Sequence, residues 1–188
     1  WTTSFFPAKP LGCYGDGGAV FTDNNELIEI FSSIRVHGKG STKYDTVRLG
    51  LNGRLDTIQA AVLLAKLPSF PGEIQKRQAA AERYTSNLGD SVGFQGIPDQ
   101  YQSAWAQYSI LSPKRDAIVA ALKEDGIPTA IYYGKPLHLQ PALSHLEHQA
   151  GDFPVAEKTS GEIFSLPMHP YLDSEQLNHV LDVINKVN

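Results

Sequence analysis

Between Leu55 and Leu67 apolar side chains fall on nearly every side of a helical wheel, at Ile58, Val62, Leu63, Leu64 and Leu67. This predicts a helix buried against other structure. Pro68 and the Phe70-Pro71-Gly72 turn stop it. From Glu73 to Leu88 the apolar positions narrow to a stripe of Ile74, Ala81, Tyr84 and Leu88, with Lys76, Arg77, Glu82 and Arg83 outside it, the pattern of an amphipathic helix. Ala106, Tyr108 and Ile110 alternate with polar positions, as in a half-buried strand. Ser112-Pro113 then supplies an N-cap and a first-turn proline to a helix over Lys114 to Glu124, which Gly126 ends. Pro128 to Tyr133 reads as the next strand and Pro154 to Ile163 as a helix. Asp173 and Gln176 make a capping-box-like start for a last helix, whose stripe is Leu177, Val180, Leu181, Ile184 and Val187. Near the start of the chain, Ala19 to Thr22 reads as a short buried strand leaving a glycine turn.

These elements divide into a first section, residues 1–72, and a second, residues 73–188, where strands and helices alternate and antiparallel strands carry helices on one face. The fold class is α/β. With 188 residues, 41% hydrophobic, and a net charge of −4, the chain suits a soluble globular piece. No apolar run is long enough to span a bilayer, so no membrane partner is expected. The mild acidity and scattered Lys and Arg argue against nucleic acid, which calls for a basic face. Cys13 is the only cysteine, which rules out an internal disulfide and fits a cytoplasmic location. It reads as a small buried side chain rather than a nucleophile. His145 and His148 stand one helical turn apart, but no third ligand has a suitable spacing, so an exposed face explains them better than a metal.

The candidate chemistry lies in the run Ser4-Phe5-Phe6-Pro7-Ala8-Lys9-Pro10-Leu11-Gly12-Cys13-Tyr14-Gly15-Asp16-Gly17-Gly18. A lysine on a loop is usually a solvated charge. Here Phe5, Phe6, Pro7, Pro10 and Leu11 flank it, and an ammonium stripped of water by such neighbours shifts toward its neutral, nucleophilic form. A primary amine, a hydroxyl five residues upstream and a glycine-rich turn downstream suit a carbonyl cofactor with a phosphate tail, pyridoxal 5'-phosphate. A dinucleotide-binding loop would follow a strand and open a helix, whereas Gly15, Gly17 and Gly18 lead into a strand-like run.

The run Ser4 to Asp23, the block Gly50-Leu51-Asn52-Gly53-Arg54-Leu55-Asp56-Thr57-Ile58-Gln59-Ala60-Ala61 and the block Tyr132-Tyr133-Gly134-Lys135-Pro136-Leu137-His138-Leu139-Gln140-Pro141 occur in one order. In that order they resemble the pyridoxal-phosphate-dependent nucleotide-sugar aminotransferases of the DegT/StrS type. The resemblance covers the whole chain. Around Lys9 and His138 it is closest to enzymes that aminate the 3-keto group of a UDP-linked 2-acetamido hexuronic acid for surface polysaccharide, such as lipopolysaccharide O-antigen. It implies a fold-type-I transferase, and because members are roughly twice this length, it implies the C-terminal half: the end of the cofactor-binding large domain (1–72) and a small α+β domain (73–188).

By that resemblance Lys9 is the covalent anchor of the cofactor and the proton carrier, and Ser4 binds its phosphate. Asn52 reaches the phosphate in a partner subunit, which implies a homodimer with shared sites. Arg54 lies near the substrate, as do His138 and Tyr133. Each has a plainer reading: a strand-end serine, a turn asparagine, a capping arginine, a structural histidine and a core aromatic. His37 also falls in a family block, without an assignable role. The implied reaction passes an amino group from glutamate to a keto nucleotide-sugar. A sister class carries histidine at the lysine position and dehydrates its substrate, so Lys9 argues against that branch. The stretch that would supply the carboxylate at the pyridine nitrogen lies outside this sequence, and without it the cofactor is a poorer electron sink. The alternative is therefore a truncated, non-catalytic piece that folds or dimerises without the cofactor.

Overall fold

In the computed structural model, which describes every residue except Lys43, Ser91 and Asn188, the chain folds as two units, Trp1–Pro71 and Gly72–Asn188. Unit 1 begins with β1 (Thr2–Ser4) paired antiparallel to β2 (Gly18–Val20), Thr2 opposite Val20 and Ser4 opposite Gly18. The segment between them must therefore return on itself as a closed loop. Asn24 caps α1 (Asn25–Ile34), its Oδ1 accepting the amides of Glu26 at 2.9 Å and Leu27 at 3.3 Å. An irregular stretch follows, held by bridges Val36 to Asn52 and Lys39 to Thr46. Gly38, at φ +72°, makes that approach possible, since a Cβ there would run into the carbonyl of Arg48. The stretch leads to α2 (Thr57–Lys66).

Two expectations change in this unit. The strand at Gly18–Val20 forms but is not buried, because a two-stranded sheet leaves both faces uncovered. The helix at Thr57–Lys66 also forms, yet Ile58 is 76% exposed and Leu64 70%, and Leu63 is its one buried residue. Apolar residues all round it call for more covering structure than unit 1 contains.

α3 (Phe70–Asn87) starts three residues earlier than its stripe predicts. Pro71 sits in its first turn, where a missing N–H has no partner to lose. In unit 2, β3 (Gly93–Phe94), β4 (Tyr108–Leu111) and β5 (Ile163–Leu166) form an antiparallel sheet with β4 in the middle. Tyr108 lies opposite Leu166 and Ile110 opposite Phe164, and all four are buried while Ser109 and Leu111 are less so. α4 (Arg115–Glu124) and α6 (Ser174–Val187) pack together, and α5 (Pro154–Glu162) runs directly into β5. The core joins Ala81, Tyr84 and Leu88 of α3, Ile118 and Leu122 of α4, the sheet's inner face, and Leu177, Val180, Leu181 and Ile184 of α6. The capping box is present: Asp173 Oδ1 accepts the amide of Gln176 at 2.8 Å and Gln176 Oε1 that of Asp173 at 3.1 Å.

Pro128 to Tyr133 is not a strand. Only Ala130 bridges, exchanging backbone bonds with Ser165. Pro128 brings no amide to a ladder, and the chain turns at Tyr132 and Tyr133, so pairing stops after one residue. Arg77 is also placed differently, on the buried side of α3. Its Nη1 donates to the carbonyls of Trp105 at 2.9 Å and Met168 at 3.1 Å. Among the described residues no helix is long and apolar enough to cross a membrane.

Candidate active site

The loop between β1 and β2 folds around Cys13. The amide of Cys13 donates to the carbonyl of Phe5 at 2.9 Å, the amide of Phe5 to Gly17 at 2.8 Å, and the Cys13 thiol approaches the carbonyls of Phe5 and Gly15, each at 3.0 Å. Cys13 is fully buried, as a small side chain at this place should be. A Cβ on Gly12 would stand 2.6 Å from the carbonyl oxygen of Pro7, so only glycine permits the two arms to lie this close. Lys9 is presented at the bend, its amide donating to Phe6 at 2.8 Å. Its side chain is exposed, contrary to the desolvation its neighbours led us to expect. Phe6, Pro7 and Ala8 are themselves exposed and cannot shield it within this chain.

Among the described residues the Lys9 amine has no hydrogen-bond or ion partner. Ser4 Oγ accepts the amide of Phe6 at 3.2 Å, so its own proton remains free to donate outward. Both functions wanted by a phosphorylated aldehyde, an uncommitted amine and a neutral donor, are thus carried by one loop.

Arg54 Nε donates to Asn52 Oδ1 at 3.1 Å. This contact orients both side chains and leaves the donors of the Asn52 amide and the two terminal guanidinium nitrogens uncommitted among the described residues. Both residues are exposed. His37, with φ +60°, turns the chain just before Gly38, and its amide bonds the carbonyl of Leu51 at 3.0 Å.

In unit 2, Tyr133 and His138 line one cavity of about 790 Å³, with Pro136, Leu137, Leu143 and Phe153 making much of its wall. Tyr133 is exposed, which sets aside its plainer reading as core. His138 has a side chain only 7% exposed, its ring 4.7 Å from that of Phe153 and its Nε2 3.0 Å from Glu157 Oε1. Glu157 also accepts the amides of Gly151, at 2.8 and 3.0 Å, and of Phe153 at 3.3 Å. These amides, Gly151's first, and the bond to His138 hold its carboxyl below the usual glutamate range, against a smaller opposing effect of burial. A carboxylate only accepts, so His138 Nε2 carries the proton of this bond. His148 Nδ1 lies 3.5 Å from Asp152 Oδ2 beside the same cavity.

The sequence pointed to Lys9, Ser4, Asn52, Arg54, Tyr133 and His138 but gave no reason to single out Glu157, or Gln59 and Lys66 of α2. Gln59 Oε1 accepts the amide of Tyr14 at 2.8 Å, and Lys66 Nζ donates to the carbonyl of Gly12 at 2.6 Å. Only the spacing of seven residues, which puts both on one side of α2, was available as a signal.

Comparison with known proteins adds to this geometry. The sequence profile of the DegT/DnrJ/EryC1/StrS aminotransferase family matches residues 1–185. The UDP-2-acetamido-2-deoxy-3-oxo-D-glucuronate aminotransferase of Pseudomonas aeruginosa is 44% identical over 176 residues, 93% of this chain and 48% of its own length. The crystal structure of a DegT DnrJ EryC1 StrS aminotransferase from Brucella abortus superposes with a TM-score of 0.93 at 52% identity, over 98% of this chain and 50% of that one. That of ntda from Bacillus subtilis, with bound cofactor PMP, gives 0.88 at 28% identity, over 99% of this chain and 45% of the other. The chain spans about half the length of the curated relatives it matches.

Proposed function

Because the chain belongs to the DegT/DnrJ/EryC1/StrS aminotransferase family, we propose that it is the C-terminal part of a pyridoxal-phosphate-dependent enzyme that transfers an amino group from glutamate to a keto nucleotide-sugar. The observation that carries this is the Lys9 loop: a primary amine without a partner among the described residues, beside a serine hydroxyl whose proton is unspent. The relative from Pseudomonas aeruginosa and a UDP-N-acetyl-3-dehydro-alpha-D-glucosamine 3-aminotransferase from Acidithiobacillus ferrooxidans, 38% identical, support a UDP-linked 2-acetamido-3-keto sugar as substrate. Amination for surface polysaccharide, in the cytoplasm, follows as part of the same reading. So do the domain roles, with residues 1–72 completing a cofactor-binding large domain and 73–188 forming the small one.

Pyridoxal phosphate, when bound, supplies a conjugated ring able to accept the electron pair left when a proton leaves the substrate carbon. Lys9 Nζ is the group that would hold it covalently and that would move that proton. Ser4 Oγ–H donates to a phosphate oxygen. The free donors of Asn52 bind the phosphate in a second subunit, which makes the enzyme a homodimer with shared sites. The Arg54 fork takes a carboxylate or phosphate of the substrate, its Nε fixed on Asn52 so that the two terminal nitrogens point together. Tyr133 and His138 border the sugar-nucleotide.

In the complete protein, Lys9→Ala should abolish the visible absorbance of bound cofactor and lower amino transfer by about 10³-fold. Undiminished absorbance would overturn the proposal. A second reading, that the 188-residue chain alone is a non-catalytic piece, is favoured by the exposed apolar side chains of unit 1, where Cys13 and Leu63 are the buried hydrophobic residues among those described. Pyridoxal phosphate added to this chain should give no stoichiometric visible band, and its appearance would reject that reading.

A further inference from the structure

We infer that Gln59 and Lys66 are positioning residues for the Lys9 amine, a role that rests on the proposed use of Lys9 and extends it. The two side chains leave the same side of α2 two turns apart and grip the loop on either side of Cys13. Gln59 Oε1 holds the amide of Tyr14 at 2.8 Å, and Lys66 Nζ holds the carbonyl of Gly12 at 2.6 Å while lying 4.9 Å from the centre of the Tyr14 ring. These bonds span 45 and 54 residues of sequence, so they fix the loop to the unit rather than to itself.

The grip is passed on to Lys9 through the backbone and the short, buried Cys13 side chain. Cys13, between the two held residues, is bound to the carbonyl of Phe5 through both its amide and its thiol. Gly12 lies so close to Phe6 and Pro7 that a Cβ would fall within 2.8 Å of both carbonyl oxygens. Lys9 donates its amide to that same Phe6 carbonyl. A shift of Gly12 away from α2 must therefore move the Phe6 to Lys9 turn, since no flexible side chain lies between them to absorb it. Lys66 spends its charge on a neutral carbonyl, a charge-assisted bond stronger than an ordinary one.

The test uses the complete protein loaded with pyridoxal phosphate and reads two quantities other than turnover: the rate of cofactor release into buffer, and the pH midpoint of the visible band. Lys66→Met keeps an unbranched apolar side chain but has no donor and no charge near the Tyr14 ring. It should release cofactor about tenfold faster, the effect of one lost charge-assisted bond, and shift the pH midpoint. Lys66→Arg should restore both to within about twofold of the parent, a smaller change than one hydrogen bond. Gln59→Leu should change both in the same direction by less than Lys66→Met, since the bond it removes is neutral, and Gln59→Glu, which keeps the acceptor, should lie nearer the parent. Release and titration unchanged in Lys66→Met would overturn the inference. So would an Arg variant as impaired as the Met variant with an equally lowered melting temperature, because the effect would then follow folding and not the donor. Retention of the band in Lys9→Ala would instead sink the reading of Lys9 itself.

Discussion

Replacing Arg77 would leave the carbonyls of Trp105 and Met168 without the guanidinium that now holds both. Burial lowers the pKa of that guanidinium, partly offset by Glu73, and its Nε finds no partner among the described residues. Two carbonyl bonds hold it in place despite this loss of hydration. Arg77→Met should destabilise unit 2 by about 2–4 kcal/mol in denaturant unfolding, because it strands two acceptors rather than removing a matched pair. His169 gives a second readout. Its pKa is lowered by burial first and by the Arg77 cation second, so the same variant should raise it toward the ordinary value in an NMR titration. Glu157 sets a pH limit of its own. Its folded pKa lies below the usual 4.5, so as pH falls the unfolded chain takes up the proton first and stability declines from about that point until the folded pKa is passed. Glu157→Gln should flatten this acid limb in unfolding measured from pH 6 down to about 3. None of these roles could be read from the stripe of α3 or the polarity of α5. Each depends on which backbone groups arrive from distant strands and loops, which residue spacing does not encode.

Elements whose signals were local proved legible. The Asp173 and Gln176 pair states where α6 begins, and the five-residue stripe behind it states which face is buried. Asp173→Ala removes one of two reciprocal bonds and should lower stability by about 1 kcal/mol, seen as a fall in the melting temperature, with Asp173→Asn recovering most of it. The alternation of Tyr108 and Ile110 was equally plain, because it survives wherever one face of a strand meets a core, although Ala106, read with them, lies ahead of β4. β5 was hidden because it follows α5 with no turn residue between them, and the change from helix to strand there is made by pairing with β4. The bridge at Ala130 failed as a strand because proline on one side and a turn on the other leave one residue to pair. At the site, Lys9 and Ser4 were legible as residue types in a glycine-rich run. Gln59 and Lys66 were not, since a helix face that grips a loop looks in sequence like any polar stripe.

At the scale of the molecule, the apolar surface is divided unequally between the units. Tyr84, Tyr108, Phe164, Leu122 and Ile184 are fully buried in one cluster of unit 2, while Trp1, Val20, Ile58, Leu64 and Leu49 of unit 1 are largely exposed. Burial of a large apolar side chain contributes roughly 1.5–3 kcal/mol, so unit 2 has a core able to offset the entropy of ordering and unit 1, within this chain, does not. The 188-residue chain should consequently unfold in denaturant without a single shared transition. Hydrogen exchange should show slow amides across α3, β4, β5 and α6, and rapid exchange across β1, β2 and α2. Equal protection in both units would mean that unit 1 has found cover, and size measurement in the same buffer would tell self-association from an intrinsic core. The same imbalance bears on the chemistry. Lys9 is carried by the less stable unit, tied to α2 by two side-chain bonds, and α2 itself shows most of its apolar surface to solvent. Covering Ile58 and Leu64 with further protein would therefore steady α2, and through Gln59 and Lys66 the amine. The 188-residue chain with pyridoxal phosphate should label Lys9 weakly on borohydride reduction, and the complete protein should label it stoichiometrically. Equal labelling of both would show that the amine needs no such support.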